Sequence, residues 1–130
     1  MVMMVTVAVI VSVISDRKYA SAKSYSEGGT WKKTIDETTW YISISEYSSA
    51  EGKELGNARI YKGKKAYNKN SSIASGEYVK VGTNKYKLKY KGGKIVFQVY
   101  EKKIKLKQKK GKIDGQKLEG KFKLVKRYYT

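Results

Sequence analysis

Apolar residues recur along much of this chain at every second position, in short runs broken by turn residues. Trp40, Ile42 and Ile44 alternate with Tyr41, Ser43 and Ser45, and Val79 and Val81 alternate with Tyr78 and Lys80. Ile95, Phe97 and Val99 form a further row. Ile104 and Leu106 then stand between Lys103, Lys105 and Lys107, and Phe122 and Leu124 alternate with Lys121 and Lys123. A period of two sends alternate side chains to opposite faces of an extended segment, so each run predicts a strand with one buried face. Turn signals separate the runs at Glu51-Gly52, Lys62-Gly63, Gly82-Thr83-Asn84, Gly92-Gly93, Gly111 and Asp114-Gly115. The pattern predicts an all-β domain, an antiparallel meander of seven or eight strands forming a small closed or partly open barrel, since closure leaves no exposed edge. No segment carries a helical stripe, and the absence of proline is compatible with uninterrupted ladders.

Before these runs comes MVMMVTVAVIVSVI, apolar over fourteen residues except at Thr6 and Ser12. It is too short for the roughly 20 residues that span a bilayer of about 30 Å, and its length fits the apolar part of a secretory signal. Ala20 and Ala22 supply small side chains at the spacing a signal peptidase accepts. Residues 1–22 therefore read as a signal peptide, 23–28 as a flexible leader and 29–130 as the folded domain. The expected protein is secreted or associated with the cell envelope, and it has neither a transmembrane anchor nor a cysteine for a lipid one. No basic residue precedes the apolar run. Should Val5 to Ile14 instead be a buried first strand, the protein would stay inside the cell.

Charge changes the picture more than size does. Lys plus Arg number 29 against 11 Asp plus Glu, a formal net charge of +18. Residues 1–57 hold six basic and seven acidic residues, whereas residues 58–130 hold 23 basic and four acidic, so the second half carries +19. Removing residues 1–22 takes away Asp16, Arg17 and Lys18 and leaves +17. Only Arg17, Arg59 and Arg127 are arginine. Lysine is a hydrated point charge without the planar fork that reads guanine edges, so a lysine field suits diffuse polyanions better than sequence readout.

The stretch NKYKLKYKGGK shows where these charges go. Period two puts Tyr86, Leu88 and Tyr90 on one face and Lys85, Lys87, Lys89 and Lys91 on the other. Lys103, Lys105 and Lys107 stand outside a second strand and Lys121 and Lys123 outside a third. A bound polyanion would relieve their mutual repulsion and release counterions. The bland alternative is a solubilising surface that discourages edge pairing. Tyr61, Tyr67, Tyr78, Tyr100, Tyr128 and Tyr129 are candidates for outward or rim positions where a ring can stack on sugars or bases, or simply cover strand surfaces.

The chain has no Cys and no His, which removes disulfides, thiol nucleophiles, the usual zinc ligands and the commonest general base. Among Asp36, Glu37, Glu46, Glu77, Glu101, Asp114 and Glu119 no spacing selects a catalytic pair. The expectation is a non-enzymatic protein without a cofactor or metal.

Gly29-Thr30-Trp31 opens the first predicted strand, and FKLVKRYY stands just before the final Thr130. With SGEYVKVGTNKYKLKY and KLEGKFKLV as well, the sequence resembles the lipocalin-like, or calycin, barrels and small secreted bacterial domains of that type. The resemblance implies Trp31 lying across the barrel floor with Arg127, or else Lys126, stacked on its ring, a structural contact that names no ligand.

Three functions remain open on these grounds. The leading one is a cationic accessory module binding an anionic polymer, such as teichoic acid, anionic lipid or a sulphated glycan, through Lys85, Lys87, Lys89, Lys103, Lys105, Lys107, Lys121 and Lys123. The second, implied by the calycin resemblance, is a carrier of a small apolar ligand with Trp40, Tyr86, Tyr90 and Phe97 lining a cavity. The third is a nucleic-acid binder, if the protein is not exported; scarce arginine and the Ala20, Ala22 site count against it.

Overall fold

The computed structural model of the chain describes residues 25–48 and 54–128. The expected signal segment, the first residues of the leader and the Glu51-Gly52 turn lie outside the described residues. Eight strands follow one another: β1 (Gly29–Ile35), β2 (Thr38–Ser48), β3 (Glu54–Lys62), β4 (Ala74–Gly82), β5 (Lys85–Tyr90), β6 (Gly93–Val99), β7 (Lys103–Lys110) and β8 (Gly120–Arg127). Each pairs antiparallel with the next, and β8 pairs with β1, so the meander closes into a barrel. The five-residue helix α1 (Lys64–Asn68) between β3 and β4 has no counterpart in the sequence reading, because so short a helix has no room for an apolar stripe.

Alternation sorts most strands as expected. Trp40, Ile42, Ile44, Leu88, Ile95, Phe97, Ile104, Leu106 and Phe122 are buried in one continuous core. The strand β4 is the exception. Val79 and Val81, expected inside, are exposed, while Tyr78, a candidate rim residue, is fully buried. Register decides this: Tyr78 stands opposite Gly56 of β3 and Leu88 of β5, both on inward rows. A one-residue shift of parity exchanges the faces of a whole strand. The missing side chain at Gly56 is what leaves room, since a Cβ there would collide with the Tyr78 hydroxyl and the Ser45 carbonyl.

The rings of Tyr86 and Phe97 stack with centroids 5.2 Å apart, and Tyr78 meets them edge-on at 5.4 and 5.5 Å. Such pairs add about 0.5–1.5 kcal/mol each beyond area burial. Of the residues considered as a cavity lining, Trp40, Tyr86 and Phe97 are buried in this core and Tyr90 is half-buried beside it.

Each end of the barrel is closed by chain. At the end where β1 begins, Tyr25 to Gly28, read above as leader, are held in place. The Tyr25 N–H donates to Asn84 Oδ1 at 2.8 Å, the Gly28 N–H and the Ser26 hydroxyl donate to Glu46 Oε1, and the Glu27 carboxylate points inward. Its oxygens accept the Tyr78 hydroxyl at 2.9 Å and the Tyr86 hydroxyl at 3.0 Å. At the other end the loop of residues 111–119 buries Ile113 and Leu118. Gln108 pins it, accepting the Leu118 N–H at 3.1 Å while its amide nitrogen donates to the Lys110 carbonyl and the Tyr90 hydroxyl.

Trp31 is fully buried, its indole N–H donating to the Glu27 carbonyl at 3.2 Å. The stack of Arg127 or Lys126 on Trp31 is not formed. Arg127 lies in register with Gly29, two residues short of the indole, and its guanidinium donates to the Ser26 and Glu101 carbonyls. Lys62 approaches an indole instead, its Nζ 5.8 Å from the Trp40 ring centroid. The hairpin between β1 and β2 turns on Asp36 and Glu37, both at positive φ (47° and 69°), the geometry whose twist matches the flanking strands.

Two stability predictions arise here. Gly56→Ala should lower the unfolding free energy by about 1–3 kcal/mol, the usual cost of overpacking, as read by urea denaturation. Burial holds the Glu27 carboxyl above its ordinary value of 4.5, with the Tyr78 and Tyr86 hydrogen bonds opposing that rise. The folded state thus binds this proton more tightly than the unfolded chain. The group's contribution to stability is full below pH 4.5 and is lost as pH rises through the raised value. Glu27→Gln keeps the shape without the charge, so its stability relative to the native chain should improve as pH rises from 4.5 to 7. A pH-independent difference in denaturation midpoints would contradict the buried-carboxylate account.

Candidate polyanion-binding face

Period two on β5, β7 and β8 sends the eight lysines singled out in the sequence to the outside of the barrel, with Lys87 and Lys103 half-buried and the other six exposed. Pairing then orders them across strands. Lys103 stands opposite Lys123 and Lys105 opposite Lys121. Between β5 and β7, the outward side chains of β6 intervene: Lys87, Val96 and Lys107 form one cross-strand row, and Lys85, Gln98 and Lys105 the next. The outcome is a trough of about 450 Å³ over β6, floored by Val96 and Gln98 and walled by Lys85 on one side and Lys105, Lys107 and Lys109 on the other.

Closure adds cations that the sequence rows did not include. Lys32 of β1 lies in register with Lys123, and Lys94 of β6 lies between Lys89 and Lys110. The expected closure of the barrel, which pairs the first strand with the last, was the available signal for Lys32. For Lys94 the signal was obscured, because neighbouring Val96 and Gln98 make β6 look like an ordinary half-polar strand. The Lys89 edge of the field is bounded by Glu77, opposite Lys89 on β4, and Glu119 lies at the rim of the trough.

Distances determine how these charges act. Successive lysines on a strand are about 6.8 Å apart and neighbouring strands about 4.8 Å apart. Both spacings fall inside the Debye length of about 8 Å at physiological salt, so an approaching anion meets a field rather than separate charges. Among the described residues none of the eight lysines is in an ion pair; the pair that does form, Lys62 with Asp114, lies at the barrel end. Lys103 has a different neighbour, the Tyr100 ring, whose centroid is 5.3 Å from its Nζ.

The other candidate groups are scattered by the fold. Tyr61, Tyr67 and Tyr128 gather on the opposite side of the barrel, Tyr78 is in the core, and Tyr129 lies outside the described residues. Of the seven carboxylates considered from sequence, Asp36 and Glu37 form the hairpin turn, Asp114 pairs with Lys62 and Glu46 anchors the segment before β1. The buried carboxylate is Glu27, which had no periodic context to mark it. Among the described residues no group of three or more acidic side chains could hold a metal ion.

The like-charge register carries a stability cost that can be read directly. Lys121→Glu, opposite Lys105, should stabilise the barrel by about 0.2–1 kcal/mol in low-salt thermal or urea unfolding. The gain should shrink as salt is raised toward 1 M, where the screening length falls to about 3 Å. A gain insensitive to salt would mean that the two side chains do not interact through charge.

Comparison with protein-family models, curated proteins and solved structures found no match, so the calycin likeness stands on the Gly29-Thr30-Trp31 motif and on the closed eight-stranded antiparallel barrel.

Proposed function

We propose that this chain is a secreted, non-enzymatic binding module that attaches to anionic polymers of the cell envelope or the extracellular medium through the lysine face of β5 to β8. The observation that carries this reading is the joining of three lysine rows into one outer face that lacks ion pairs among the described residues and walls a trough with a neutral floor. A solubilising surface has no need of directly opposed lysines, which destabilise the sheet that bears them. A linear polymer with repeated negative groups, such as teichoic acid or a sulphated glycan, offsets that repulsion at many points at once and releases the counterions held there. An anionic lipid surface would engage the same cations, as a plane rather than along a strand direction.

The carrier alternative has less support, because Tyr86 and Phe97 are stacked on one another and Trp40 is buried in the core. Nucleic-acid binding draws on the same charges, but the outward rows of this face carry lysine rather than the arginine that reads base edges, and Arg127 at the end of β8 donates to the Ser26 and Glu101 carbonyls.

The test compares two sets of substitutions. Lys85, Lys87, Lys105 and Lys107 to Gln should weaken binding to purified teichoic acid or heparin and lower the slope of log K against log salt by roughly three to four units. Lys64, Lys65 and Lys69 to Gln, on and just after α1, removes a similar charge elsewhere and should leave both nearly intact. Equal losses in the two sets would reduce the effect to net charge and reject the face as a site.

A further inference from the structure

The outer side of β2 and β3 carries a different chemistry. A groove of about 550 Å³ opens there between the two strands, α1 with the turn after it, and Tyr128, which follows β8. Its floor comes from outward rows in register: Ser43 opposite Arg59, and Ser45 opposite Asn57. On one side stand Tyr67, Asn68 and Asn70, and on the other Tyr128. No carboxylate lines it.

The walls are fixed by contacts within the protein. Tyr67 stacks on Tyr41 with centroids 4.4 Å apart and planes 6° apart, and it meets Tyr61 edge-on at 5.5 Å. The Tyr61 hydroxyl donates to Asn70 Oδ1 at 2.5 Å, which holds the turn after α1 over the strand. On the far side the Tyr128 hydroxyl shares hydrogen bonds with Thr30 Oγ1, at 2.8 Å, and with Ser43 Oγ. A groove held in shape in this way loses little freedom when it is filled.

Arg59 gives the groove its polarity. In a chain that uses lysine almost everywhere, one of three arginines projects here, exposed and without an ion-pair partner among the described residues. A guanidinium presents a planar fork of donors that matches a carboxylate or phosphate in bidentate fashion, and a lysine cannot do this. The short hydroxyl and amide side chains around it both donate and accept, which matches a ligand rich in hydroxyls.

We propose that this groove is a binding site for an anionic sugar, a single saccharide unit whose carboxylate or phosphate pairs with Arg59 while its hydroxyls meet Ser43, Ser45 and Asn57 and its ring lies against a tyrosine wall. A nucleobase fits less well. Bases are commonly held by stacking on open aromatic faces, and Tyr41 and Tyr67 already cover one face of each other. The site is separate from the lysine face and does not depend on the function proposed for it.

The experiment is a titration of the isotope-labelled protein, followed by amide NMR shifts, with D-glucuronate, glucose 6-phosphate, glucose and uridine monophosphate in parallel. Either or both anionic sugars should bind at millimolar concentration or below and shift the amides of Ser43, Asn57 and Arg59, with glucose at least about tenfold weaker. The stronger of the two identifies the natural anionic group. Arg59→Ala, an exposed outward position, should weaken binding about tenfold or more, and Arg59→Lys should fall between. Lys105→Gln with Lys107→Gln should change nothing, which separates this site from the lysine face. No binding of either anionic sugar, equal binding of glucose, tighter binding of uridine monophosphate, an unchanged Arg59→Ala variant or shifts confined to the lysine face would each overturn the proposal.

Discussion

The pairing of β1 with β8 is the constraint on which the rest of this structure depends. Gly29 to Lys32 meet Lys123 to Arg127 with a register shift between Thr30 and Trp31, and this one ladder turns an open meander into a closed wall. Without it, the first and last strands would both be edges that invite pairing with another chain. With it, Trp31 is enclosed, Lys32 joins Lys123 and the segment before Gly29 is delivered to the mouth of the barrel.

That delivery has an energetic side. A carboxylate in a barrel end is costly unless its oxygens are satisfied, and Glu27 is accepted there because two phenols reach it from β4 and β5. Tyr78 can reach it only because its strand takes the register that puts the ring inside, opposite Gly56. The buried carboxylate, the inverted face of β4 and the exposure of Val79 and Val81 are therefore one event. Burial, with the Glu27 charge beside it, pushes the Tyr78 hydroxyl well above the ordinary tyrosine range, which keeps it a proton donor at any ordinary pH.

The outside of the barrel divides into two chemistries. On β5, β7 and β8 the charge is dense, repetitive and carried by lysine, which suits attraction to many anionic groups at once. On β2 and β3 there is one arginine among hydroxyls, amides and phenols held by their own contacts, which suits recognition of a single unit. Lys103, Lys123, Lys32, Tyr41 and Tyr61 form a cross-strand row from one region to the other.

By itself the sequence determined most of the strands, their inward rows outside β4 and the outward lysines, because a period of two is a local property that survives in any antiparallel partner arrangement, though it named no run over β3. It also marked the Asn84 and Asp114 turns, whose residues tolerate positive φ. It failed at β4, where Tyr78 and Val79 are both acceptable inside and only the neighbours choose; at Trp31, whose basic partner was placed two residues out of register; and at Glu27, which has no periodic context. The cross-strand order of the lysines, the neutral floor between them and the convergence of Ser43, Arg59, Tyr67 and Tyr128 were decided by the tertiary structure alone. Each needs residues far apart in the chain to meet, and the energies that bring them together belong to strand register and barrel closure, which no single segment encodes.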